Sequence, residues 1–166
     1  MIKKLLLAAL IAMPTMAFAQ KFAIINTQTV VEAMPEMAQA RTQLEASSKK
    51  YQEEFNKLQE TFQKSYEEYQ KLEQDATTPQ TIKDRRVQEL QEMQSKIQQF
   101  RETVSQDLEK QQQQLMAPIQ QKVADAIKGV GASGSYTMIF ENVLPLYTGS
   151  DVEDITPQVK SRLGLK

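Results

Sequence analysis

Apolar residues are spaced in two ways along this 166-residue chain. Between residues 36 and 128 they recur every three or four positions, and towards both ends they form short unbroken runs. In the first half of the middle segment, one row is Met37, Leu44, Tyr51, Leu58, Ser65 and Leu72. The other is Arg41, Ser48, Phe55, Phe62, Tyr69 and Ala76. From Tyr51 to Ala76 the steps of four and three alternate, which predicts an a/d seam broken only at Ser65. The pattern resumes with Leu90, Met93, Ile97, Phe100 and Val104, then changes step through Leu108, Leu115, Ile119 and Val123. Val104 to Leu115 and Leu108 to Ile119 are eleven-residue spacings, which relax a left-handed supercoil towards a straight helix.

Breakers place the ends of these helices. Five glycines, at 129, 131, 134, 149 and 164, all follow residue 128, so the long segment lacks the residue that turns most often need. Pro35 suits the first turn of one helix. Asp75 to Gln80 is the one reversal signal in the middle, with Thr78 expected as N-cap and Pro79 at the first position of the next helix. The second helix is expected to end near Lys128, capped by Gly129. Pro118 lies inside it and predicts a kink, making it the candidate hinge. Two arms of about forty residues, ~60 Å long at 1.5 Å per residue, predict an antiparallel coiled-coil hairpin over 36–128 with its tip near 76–81. Glu53, Glu60 and Glu67 each precede a lysine by four residues (Lys57, Lys64, Lys71), the favourable orientation for an i,i+4 pair.

The terminal runs read as strands. Phe22, Ile24 and Ile25 open the chain's globular part, and Met138, Ile139 and Phe140 follow the hairpin. Leu144 to Tyr147 is expected as a third strand, with Pro145 restricting it to an edge or bulge. The Gly131–Gly134 stretch is expected as a loop. Thr156 is expected to cap a last short helix, with Pro157 in its first turn and Gly164 ending it. The fold class is therefore mainly α, with a small β body drawn from 20–35 and 129–166. Such a sheet is too small to be stable alone, and its strands are apolar on both faces. The hairpin base can cover one face, and self-association can cover the other. Phe22, Ile24, Ile25, Met138, Ile139 and Phe140 are thus the candidate oligomer core.

The first residues fit an export signal: Lys3 and Lys4, a short apolar run broken at Pro14, and the A-x-A site Ala17–Ala19. Residues 1–19 are expected to be removed, leaving a chain that starts at Gln20 in the compartment beyond the inner membrane. Removal takes two lysines and no acid, leaving 18 Lys+Arg against 21 Asp+Glu and a net charge of −3. An acidic chain without a basic run argues against nucleic acid as partner. No second apolar run in the mature chain is long enough to span a bilayer. The chain has neither cysteine nor histidine, which excludes disulfides and removes the usual general base and the usual transition-metal ligands. No catalytic set, metal site or cofactor-binding loop can be assembled, and the sequence argues against an enzyme.

Tyr66, Ile82 and Val87 do not fit the seam and are candidates for exposed apolar contacts. The chain resembles the Skp (OmpH-type) family of periplasmic chaperones over essentially all of its mature length. The ends carry the likeness: Lys21 to Asn26 resembles the family's opening strand. Tyr136 to Glu141, Tyr147 and Ser150 to Thr156 resemble its closing strands and the lead into its last helix. The resemblance implies a homotrimer whose arms enclose unfolded outer-membrane proteins without nucleotide, and under it Tyr66, Ile82 and Val87 become candidate client contacts. The family's best-known member is strongly basic; this chain's acidity argues against carrying over a lipopolysaccharide site. The alternative reading is a structural or adaptor coiled-coil protein of the cell envelope.

Overall fold

A computed structural model describes residues 20–165; the expected signal segment, 1–19, lies outside the described residues. The chain is mainly helical, with a three-stranded sheet made from its two ends. Strand β1 (Phe22–Ile25) leads into a short helix α1 (Thr27–Glu32). Asn26 caps α1 by accepting from the Thr29 amide at 2.9 Å. Helix α2 (Pro35–Gln74) begins with its proline, where the missing N–H costs nothing. Helix α3 (Gln80–Ser133) returns and leads to strand β2 (Met138–Glu141). A two-residue strand β3 (Glu153–Asp154) and helix α4 (Thr156–Arg162) close the chain. The strand order is β2-β1-β3, with both pairs parallel.

Helices α2 and α3 lie side by side in opposite directions. Near the sheet Lys122 bonds Glu36 at 2.5 Å, and further out the Tyr51 hydroxyl donates to Asp107 at 3.0 Å. At the far end Lys83 donates to the carbonyls of Glu73 and Asp75, both at 3.0 Å, satisfying oxygens that the end of α2 leaves free. The half-buried positions Tyr51, Phe55, Leu58, Phe62, Ser65, Tyr69 and Leu72 follow the expected seam, Ser65 included. Nearer the sheet the inward positions are Ala40 and Ser47, so Arg41 and Ser48 of the expected row are exposed. The successive fours from Ser47 to Tyr51 to Phe55 shift the register by one. Of the expected Glu–Lys pairs, Glu60–Lys64 closes at 2.7 Å, whereas Glu67 accepts from Gln63 at 3.1 Å.

Several boundaries differ from the sequence reading. Thr78 does not cap α3, which starts without a side-chain cap. Its hydroxyl donates instead to Asp75 at 3.0 Å, beside two bonds from Thr77 to the same carboxylate. Asp75 thus builds the tip as a local side-chain turn, and Ala76 lies in it, beyond the seam. Helix α3 runs through Gly129 and Gly131 and ends at Ser133. Other side chains lie over both glycines: a Cβ on Gly129 would displace the guanidinium end of Arg162, and one on Gly131 would meet Ile139 Cδ1 at 3.1 Å. The left-handed residue after the cap is Ser135, at φ 54, and the Tyr136 and Ser135 amides bond back to Gly131 and Ala132 at 3.1 and 3.4 Å, a Schellman closure without glycine. Leu144–Tyr147 is not a strand; the third strand is Glu153–Asp154. Thr156 does not cap α4, whose cap residue is Ile155. Gly164, at φ 71, does end that helix: the Gly164 and Leu165 amides bond back to Ser161 and Lys160 at 3.0 and 2.9 Å.

The core gathers Ala23 and Ile25 of β1, Val30 of α1, Met34, Ala40 of α2, Ile119, Val123, Ala126 and Val130 of α3, and Ile155 and Val159 at α4. It sits where the helices meet the sheet. The outer parts of α2 and α3 are stabilised mainly by their half-buried seam.

Candidate functional site: an open sheet face and two long helices

Alternation along β1 turns Ala23 and Ile25 to the core and Phe22 and Ile24 to the opposite face. The parallel register sets Met138 beside Phe22 and Phe140 beside Ile24, so one sheet face presents four large apolar side chains. Met138 is 54% exposed and Phe140 38% exposed. The Phe22 and Phe140 rings lie 6.3 Å apart at 40°. Ile139 points the other way and packs on the core. Of the six candidate oligomer-core residues, Ile25 and Ile139 therefore serve the chain's own core, while Phe22, Ile24, Met138 and Phe140 share the open face.

The segment after β2 borders this face. Phe22, Ile24 and Phe140, with Leu144, Pro145, Tyr147 and Val152, line an apolar groove of about 530 Å³. The segment is itself uncovered: Leu146 and Tyr147 are 106% and 86% exposed. Isolated exposed apolar residues are common, but a contiguous patch marks a surface that meets something. The sequence reading missed Val143, Leu144, Leu146 and Tyr147 as surface residues because their apolar run resembles a strand; Pro145 was the available signal.

Side chains reinforce the backbone pairing of the two-residue β3 with β1. Glu153 accepts from Tyr136 and, at 2.7 Å, from Gln158. Lys21 lies 3.4 Å from the same carboxylate and 4.1 Å from the centre of the Tyr136 ring. The Tyr136 bond and then Lys21 hold the Glu153 carboxyl below its usual range, and the same bond raises the Tyr136 hydroxyl. Next to it, Asp154 accepts from the Thr156 amide at 2.9 Å, and Thr156 accepts from the Asn26 amide at 2.9 Å. The end of β1 is thereby tied to β3 and α4.

On the helices, Tyr66 is 41% exposed and stacks on Phe62 of the same helix at 6.4 Å. Ile82, near the tip, is 46% exposed, and Val87 is half-buried. Pro118 is exposed within α3, and the Glu36–Lys122 ion pair bridges α2 and α3 one turn further along. The site offers apolar burial and ring contacts. No helix of the described residues is long and apolar enough to cross a membrane.

A family model described as outer membrane protein (OmpH-like) matches residues 21–163, nearly the whole described chain. The chain belongs to the OmpH family. This is the Skp-like family of periplasmic chaperones for outer-membrane proteins. No curated protein matches the chain. The OmpH match takes in the open face, the segment after β2 and both long helices, so every surface described above lies within the family's shared region.

Proposed function

We propose that this OmpH-family chain is an ATP-independent periplasmic holdase that keeps unfolded outer-membrane proteins soluble in a cavity between helical arms. The observation that carries the reading is the pairing of an open apolar sheet face with two long helices leading away from it. A chain with one uncovered face at its base and an extended arm is suited to assemble through the base and enclose a client with the arms. In this reading α2 and α3 form a coiled-coil hairpin arm, residues 1–19 are removed on export, and Phe22, Ile24, Met138 and Phe140 meet their counterparts in a homotrimer. Ile25 and Ile139 support that interface from within each subunit. Tyr66, Ile82 and Val87 supply weak apolar client contacts, and Pro118 lets the arm tilt. Many weak contacts hold an unfolded chain without nucleotide, and the chain's acidity argues against lipopolysaccharide as a ligand.

The test dilutes a urea-unfolded outer-membrane β-barrel protein into the purified mature chain and follows aggregation by light scattering, with a folded protein as control ligand. Suppression that saturates near one oligomer per client, without ATP and without binding of the control, is the expected outcome. An intact oligomer that suppresses nothing would instead point to an envelope adaptor with one folded partner. Shortening both arms by matched heptads should preserve the oligomer and weaken protection; full protection by the stump would overturn the cavity.

A further inference from the structure

We propose that Gln20 is a modification site: once exposed as the mature N-terminus, it closes on itself to pyroglutamate. The inference rests on removal of residues 1–19 after the Ala17–Ala19 site, and goes beyond it to the chemistry of the new end. A glutamine at a free N-terminus carries its nucleophile and its electrophile in one residue. The α-amino nitrogen attacks Cδ of the side-chain carboxamide and the N–Cδ bond forms. The Cδ–Nε2 bond then breaks, and Nε2 leaves as ammonia with the proton given up by the amine. The product is a five-membered lactam, and no oxidant, metal or second reactant is needed. Intramolecular positioning favours such a closure, and an α-amine with a pKa of about 8 is partly neutral at ordinary pH.

The fold leaves this residue free to react. Gln20 is exposed and precedes β1, whose ladder begins at Phe22. The chain is anchored from the next residue on: the Lys21 carbonyl accepts from the Thr137 amide at 2.7 Å, and the Lys21 ammonium is engaged by Glu153 and Tyr136. Ring closure consumes only the α-amine and side chain of Gln20, so no bond of the sheet is lost. It also removes a positive charge adjacent in sequence to Lys21, and it blocks the end to aminopeptidases.

The experiment exports the full chain in a Gram-negative cell, purifies it from the periplasm, and measures intact mass and N-terminal reactivity over incubation at neutral pH. The expected mass is that of residues 20–166 less one ammonia, with the amine blocked and pyroglutamyl aminopeptidase exposing Lys21. Gln20→Ala should show no ammonia loss and retain its oligomeric mass. A chain beginning at Gln20 whose amine stays open throughout overturns the cyclisation while leaving the cleavage reading intact. A chain beginning at any other residue overturns both.

Discussion

Ile24 stands beside Phe140 in parallel register on the sheet face turned away from the helices, while its neighbour Ile25 is buried in the core. Under the proposed assembly, these two adjacent isoleucines support different levels of organisation. Ile24→Asp should leave a helical, folded subunit but dissociate the oligomer, because assembly would bury an unpaired charge. Light scattering checks the mass and circular dichroism the helix content; unchanged mass would exclude this face from the interface.

Ile25→Ala should act on the subunit itself. The side chain is 2% exposed, and truncating a buried isoleucine costs about 2–5 kcal/mol. Denaturant unfolding should show that loss as a lower midpoint.

Ser135 carries the left-handed conformation that ends α3, at φ 54. Left-handed backbone costs a residue with a Cβ about 1–2 kcal/mol, and glycine offsets part of this relief with its greater unfolded-state freedom. Ser135→Gly should therefore stabilise the fold by about 0.5–1 kcal/mol in thermal unfolding.

The Tyr136–Glu153 contact makes stability depend on pH at both extremes. The folded Glu153 carboxyl titrates below its ordinary value of 4.5, chiefly through the Tyr136 bond. Its contribution is present above that value and is lost as pH falls through the lower folded pKa. The Tyr136 hydroxyl titrates above its ordinary 10.0, chiefly through Glu153. Its contribution is present below that value and is lost as pH rises through the higher folded pKa. Glu153→Gln should flatten the acid limb and Tyr136→Phe the alkaline limb. Equal midpoints against pH for variants and parent would exclude the coupling.

Pro118 removes one backbone hydrogen bond from the interior of α3. Pro118→Ala should raise stability by about 1–3 kcal/mol and stiffen the arm. Under the holdase reading, protection of the largest clients should fall more than that of the smallest. Equal protection across sizes would remove Pro118 as the hinge.

Much of the long-helix architecture was legible in the sequence because helical contacts are local. Spacings of three and four mark the inward positions, and Pro35 and Pro79 mark the starts. The register shift at Ala40 and Ser47 was less legible: alanine and serine are inconspicuous, and only the close approach of α2 to α3 shows that they point inward. The helix end at Ser133 lies beyond the expected one because Gly129 looks like a cap and Gly131 like the start of a loop. They make room for Arg162 and Ile139, residues that are distant in sequence.

The sequence by itself determined the periodic seam, the reversal, the alternation that gives β1 two apolar faces, and the absence of histidine and cysteine chemistry. Tertiary structure decided which of those faces is covered. The strands that pair with β1 lie more than a hundred residues away, and their parallel register, rather than any local preference, collects Phe22, Ile24, Met138 and Phe140 on one side. It also decided that Glu153–Asp154, a charged dipeptide without strand propensity, completes the sheet. It pairs with Ala23 and Ile24 of β1 and is held there by Lys21, Tyr136 and Gln158, groups that meet only when both ends of the chain have come together.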